Sequence, residues 1–133
     1  MSTHTLVNLE DVEDAAVRHG MAPNVEARFA NEALRLEKSG MSYQRYAPGF
    51  RFPFGHRHTE QEEVYVILDG GGRVKVEDEI LDLRRHDLLR VGPGLVRAFE
   101  AGPDGLEMIA FGAPGRGSSP GSDAEPVHGW WTD

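Results

Sequence analysis

His56 and His58, with Glu63 after four intervening residues and Gly70 after six more, place two imidazoles and a carboxylate at a spacing that can hold a metal ion. Residues two apart on a strand point the same way, so His56 and His58 project together, and Glu63 on the next strand can turn back toward them. Two neutral imidazoles and one carboxylate form the ligand set of non-haem iron sites, one that manganese, nickel, copper and zinc also accept. An isolated His-x-His can equally be a polar strand edge. Here Glu63 and Gly70 both arrive where a following strand and its turn require them, and this favours a built site.

The elements needed to position these residues are short strands. From Leu34 onward the hydrophobic pattern has a period of two: Leu34 and Leu36 alternate with Arg35 and Glu37, Ser39-Gly40 turns, and Met41 to Tyr46 runs back. Ala47-Pro48-Gly49 turns again ahead of Phe52, Phe54 and the histidines. Strand-like runs then follow at Val64 to Leu68, Arg73 to Val76, Ile80 to Leu83, Leu88 to Val91, Val96 to Glu100 and Leu106 to Phe111. Turn residues separate them, with Asp69 to Gly71 read as a hairpin turn and Gly102 to Gly105 as another. This punctuation predicts an all-β sandwich or barrel, with no room for the crossover helix of a parallel sheet.

At the N-terminal end, Asn8 can cap a short helix with Leu9, Val12 and Ala16 on one face and Gly20 as its stop, and Pro23 prevents continuation. The stretch from Gly112 to Pro126 is rich in Gly, Ser and Pro and predicts a flexible tail. It leads to Trp130 and Trp131, which are costly to leave in water and are expected to fold back onto the barrel or a partner subunit. The expected division is residues 1–30 for the helix and its connection, 31–112 for the barrel and 113–133 for the tail.

Composition narrows the classes further. The chain has 133 residues, enough for one core, and carries a formal net charge of -8. That charge repels phosphate backbones and anionic lipid, so neither nucleic acid nor membrane is an expected partner. Cysteine is absent, which removes disulfide scaffolds, thiol catalysis and Cys-rich zinc sites. No apolar run approaches membrane-spanning length and no basic leader is present, so the expected location is cytoplasmic. The Gly70-Gly71-Gly72 run precedes no helix and is no phosphate cradle, and no GxSxG elbow occurs.

In this pattern the chain resembles the cupin family, whose first motif sets a glycine, His-x-His, a glutamate and a second glycine at defined intervals. His56, His58, Glu63 and Gly70 match it, while Gly49 stands one position out of the usual spacing for the leading glycine. The resemblance spans about Met41 to Phe111 and implies a single jelly-roll barrel. The second motif is degenerate: His86 replaces a glycine, Gly92 a proline, and Gly94 matches. Arg97 occupies the position of the fourth metal ligand, a histidine in the family. Arginine stays protonated and has no lone pair to give a metal.

Two functional readings follow. In one, His56, His58 and Glu63 hold a divalent Fe, Mn, Ni or Zn ion, and Arg97 clamps the carboxylate of a small substrate for dioxygenation or isomerisation. In the other, Arg97 pairs with Glu63 in place of the cation, and the barrel is a metal-independent small-molecule binding protein. Tyr65, on the inward face with Glu63, is a candidate for orienting a substrate, and Phe54 and Phe99 are candidate pocket walls. His4, His19, His86 and His128 fall in turns or near the ends and are expected in solvent. The opposite face of Val64 to Leu68 is also apolar and needs cover, which predicts a homodimer.

Overall fold

The computed structural model describes residues 4–114 and 123–133. The polar, glycine-punctuated chain forms eight strands: β1 (Val25–Phe29), β2 (Gly40–Tyr46), β3 (Phe54–His58), β4 (Glu62–Val76), β5 (Glu79–Arg84), β6 (Leu88–Val91), β7 (Arg97–Ala113) and β8 (Ala124–His128). All eight belong to one sheet, in which β4 and β7 pair antiparallel along nearly their whole length. β2 lies on the far half of β7, from Leu106 to Gly112, and β3 meets its near end at Arg97. Two long strands shared in this way curl the sheet around a core of Tyr65, Ile67, Val74, Phe99, Leu106 and Met108. The fold is all-β, as the alternating pattern predicts, and it is the jelly-roll barrel that the family resemblance implies.

Several elements differ from expectation. The hairpin turn expected at Asp69 to Gly71 is not a turn, because β4 runs straight through it, with register shifts at Ile67/Asp69 and Gly70/Gly72 against β7. The glycines serve a kink rather than a reversal. Gly70 has a φ of 68°, and a Cβ there would lie 2.1 Å from the Gly105 carbonyl oxygen, so only glycine lets the two strands cross this closely. The turn expected at Gly102 to Gly105 is likewise absorbed into β7. By contrast, Glu77-Asp78 does turn between β4 and β5.

The N-terminal segment is two helical pieces instead of one helix. Asn8 caps a 3-10 turn at Leu9–Asp11, its side chain accepting from the Glu10 N–H. Asp14 then starts α1 (Ala15–Arg18), accepting from the N–H groups of Ala16 and Ala27, the second of which ties the helix to β1. Two strong cap residues in close succession break the segment. The expected strand at Leu34 to Glu37 is also absent. Four alternating residues are too few to fix a strand, and here α2 (Asn31–Leu34) ends on Arg35 in a left-handed conformation, φ 58°. Asn31 is buried and accepts from the Met41 N–H, so this turn leads directly into β2.

The C-terminal segment departs most from the sequence reading. Of the tail expected to be flexible, residues 115–122 lie outside the described residues, but Ala124–His128 form β8 and pair with β3 at all five positions, from Phe54↔His128 to His58↔Ala124. Trp131 is buried beneath Arg51, whose guanidinium carbon lies 4.2 Å from the ring centroid, with Arg73 at 5.2 Å. Lys75 donates to the Trp130 carbonyl oxygen at 3.1 Å and stands over its ring. The tryptophan end therefore folds back onto the barrel. Among the described residues, no helix is long and apolar enough to cross a membrane.

Candidate metal centre

β3 and β4 supply the candidate ligands. His56 and His58 sit two apart on β3 with their rings edge to face, 5.2 Å between centroids, while Arg57 points out to an ion pair with Glu125. Glu63 enters from the second residue of β4. Nε2 of His58 lies 3.5 Å from Glu63 Oε1, and Nε2 of His56 lies 3.9 Å from it. One ligand atom from each residue falls within 4.8 Å of the others. These separations are long for hydrogen bonds. They suit atoms that share one ion, since two ligands each about 2.1 Å from a metal at a tetrahedral angle are about 3.4 Å apart.

Arg97 stands directly across from His56 in the β3–β7 pairing. It is fully buried, and each end of its guanidinium has a protein acceptor: Nη2 donates to Glu63 Oε1 at 2.6 Å, Nε to the Tyr65 hydroxyl at 3.0 Å and Nη1 to the Leu95 carbonyl at 3.0 Å. The Tyr65 hydroxyl in turn donates to Glu63 Oε1. Arg97 is thus an inner partner of Glu63 and forms no part of the cavity wall. Three of its N–H donors are committed to Tyr65, Leu95 and Glu63.

The cavity itself has a volume of about 420 Å³. His56, His58, Glu63 and Tyr65 form its polar end, and Phe54 and Phe99 are among the residues that line it. Phe52 and Tyr46 continue the aromatic wall, with Phe52 and Phe54 at 4.9 Å between ring centroids. Further along, Ser42, Gln44 and Tyr46 form a hydrogen-bonded ladder on β2, with Gln44 Nε2 donating to Ser42 and the Tyr46 hydroxyl donating to Gln44. The histidines expected in solvent are exposed: His4, His19, His86 and His128. His128 nonetheless belongs to β8, with its ring 5.2 Å from that of Phe54.

Asp123 is the site residue that the sequence reading missed. Its Oδ1 lies 2.8 Å from His58 Nδ1, and its Oδ2 accepts from the N–H groups of Glu60 at 3.0 Å and Gln61 at 2.9 Å. A single aspartate in a stretch of Ser, Gly and Pro carries no local signal. Only the pairing of β8 with β3 brings it to the site.

These contacts set the charge states. Burial pushes the Glu63 carboxyl up, but the two imidazoles and the Arg97 guanidinium outweigh it and hold the group far below the usual carboxylate range. Burial pushes His56 down, so it is neutral at physiological pH. For His58 burial acts the same way, yet the Glu63 and Asp123 carboxylates on either side outweigh it and raise the imidazole. Asp123 is held at about 2: burial raises it, and His58 with the two backbone N–H groups lowers it by more.

Residues 42–111 match the model of the Cupin domain. The chain belongs to the cupin family. No curated protein matches it in sequence. Among solved structures, a cupin protein from Bacteroides fragilis superimposes with a TM-score of 0.70 at 22% identity, covering 86% of each chain. The Streptomyces nucleoside dehydratase Pac13, seen with uridine in three structures, gives in one of these a TM-score of 0.74 at 14% identity, covering 95% of this chain and 92% of that one. Oxalate decarboxylase of Bacillus subtilis gives 0.74 at 21% identity over 92% of this chain and 33% of its own length. At these identities the likeness establishes the fold. A cupin barrel hosts many chemistries, so the function has to be argued from the site.

Proposed function

We propose that this cupin barrel holds a divalent metal ion on His56, His58 and Glu63 and acts through it on a small, largely apolar molecule in the cavity. The spacing of the two Nε2 atoms from Oε1, 3.5 and 3.9 Å, carries the reading. Both imidazoles offer a lone pair, and a carboxylate completes a three-ligand set that leaves open positions for substrate. Oε1 also takes donors from Arg97 and Tyr65, which fix the carboxylate in its orientation beside the two imidazoles. A bound ion would supply Lewis-acid polarisation of a ligand oxygen, the basis for an oxygenase or isomerase. The protein's share is to seat the ligand against Phe54, Phe99 and Tyr65, exclude water, and fix the charge of Glu63 through Arg97. A volume of about 420 Å³ matches pockets for small molecules.

The 2.6 Å Arg97–Glu63 pair favours a second reading, in which the guanidinium takes the place of the ion and the barrel binds its ligand without metal. Metal analysis of protein purified without chelator separates the two. Near-stoichiometric metal, lost in His56→Ala and bound at least tenfold more tightly in Arg97→His, is the expected result, because that change adds a lone pair and removes a repulsive charge. Absence of metal even after incubation with Zn²⁺ or Mn²⁺ supports the second reading. Equal affinity in all three proteins would show that the site is placed wrongly.

We also propose a homodimer. Val64 pairs with Phe111 and Val66 with Ile109 of β7, and Leu88 of β6 stands beside Val66. Leu88 is 72% and Phe111 47% exposed, a costly strip to leave in water. Trp131 does not cover it, since it packs on Arg51 and Arg73. Light scattering should give twice the chain mass, and Leu88→Arg should return the protein to monomer. A monomeric parent at micromolar concentration counts against the interface.

A further inference from the structure

We infer that Asp123 is a positioning residue of the site: it holds His58 as the tautomer protonated on Nδ1, so that Nε2 presents its lone pair toward His56 and Glu63. The inference takes the metal reading above only for its consequence in binding; the tautomer itself is independent of it.

The geometry is over-determined. Oδ2 is fixed by two backbone N–H groups, from Glu60 and Gln61, in the loop that leads into Glu63. That leaves Oδ1 aimed at Nδ1 of a ring that is itself buried. A carboxylate only accepts, so whatever the ring's charge, Nδ1 must carry a proton. The Thr59 N–H also donates to the Asp123 carbonyl oxygen at 3.2 Å, which anchors the backbone beside the loop. An outer hydrogen bond of this kind fixes ring orientation and raises the basicity of the nitrogen left for a metal.

The C-terminal strand is what delivers Asp123. β8 is held on β3 by five paired residues, and Asp123 directly precedes Ala124, the partner of His58. The end of the strap is pinned by buried Trp131 and by Trp130, which lies over Gly55; a Cβ at Gly55 would come within 2.7 Å of Trp130 Cδ1. A glycine immediately before His56 therefore makes room for the indole that holds the strap in register. The described part of the segment expected to be a flexible tail thus borders the site, and Ala124 and Pro126 line the cavity.

Asparagine at this position has a distinctive consequence. Its one amide oxygen is claimed by the two backbone N–H groups, which turns its NH₂ toward Nδ1. A donor facing Nδ1 requires a lone pair there, so the ring proton moves to Nε2, the atom that faces Glu63. Asp123→Ala, with neither group, should leave a mixture. Nitrogen-15 NMR of histidine-labelled, metal-free protein, at a pH where the ring is neutral, reads this directly. The parent should show Nδ1–H, Asp123→Asn should show Nε2–H, and Zn²⁺ affinity should fall 10- to 100-fold in Asp123→Asn and less in Asp123→Ala. A parent ring protonated on Nε2, or an Asp123→Asn ring unchanged from the parent, overturns the inference; the first of these needs no variant to fold. Measurable Zn²⁺ binding of equal affinity in parent and Asp123→Asn overturns it as well. A parent that binds no Zn²⁺ but shows the tautomer exchange sinks the metal reading and leaves this one standing.

Discussion

Arg97→Met should lower the free energy of unfolding by about 3–5 kcal/mol, the cost of leaving one member of a buried ion pair without its partner. The side chain of Arg97 is fully buried and that of Glu63 is 12% exposed, so water cannot replace the guanidinium. Methionine fills the volume of the arginine stem but offers Glu63 no donor, and it also deprives the Tyr65 hydroxyl and the Leu95 carbonyl of theirs. Thermal melting should show a drop of about 10 °C or more. Adding Glu63→Gln to Arg97→Met should recover most of the loss, because an amide tolerates burial far better than an unpaired carboxylate. The same variant sharpens the functional question. With the competing cation gone, Zn²⁺ at a hundred times its dissociation constant should restore about 2.7 kcal/mol, while the parent gains less. If Zn²⁺ stabilises neither protein, the pocket works without metal.

How much of this was legible in the sequence depends on the length scale of each signal. The period-two runs of β2, β5 and β6 are local and survive intact in the barrel. His56, His58 and Glu63 were legible for the same reason, since strand parity alone puts the first two on one face. The triple glycine misled because a hairpin turn and a bulge ask for the same residue. What separates them is Gly105 on β7, 35 positions away in the chain, whose carbonyl leaves no space for a side chain at Gly70. Arg97 stood out in the sequence as a cation near the ligand set, but its direction depends on Tyr65 and Leu95, and no spacing rule contains those contacts. Asp123 was out of reach altogether: β8 includes Pro126 and reads as tail, and it becomes a strand only because β3 offers a free edge and the two tryptophans secure its end.

Acid should remove stability from this site over a defined range. Asp123 titrates near 3.8 when unfolded and at about 2 in the fold, so ionised Asp123 contributes about 2 kcal/mol above pH 4, and this is lost as the pH falls toward 2. Glu63 acts with the same sign from its unfolded value of 4.5 downward, and more strongly, since it is held further below. The two imidazoles oppose each other nearer neutrality. His56, depressed by burial, costs stability as the pH drops below 6.5; His58, raised between its carboxylates, contributes fully below 6.5 and loses that contribution as the pH rises through its folded value. Urea denaturation from pH 8 to pH 2 should therefore show a shallow course down to about pH 5 and a steep fall below it. Asp123→Ala should be less stable than the parent at pH 7, and the gap should narrow between pH 4 and pH 2 as the parent's carboxylate is protonated. A gap of constant size across that range would mean that Asp123 stabilises the fold through packing and backbone contacts, with no contribution from its charge beside His58.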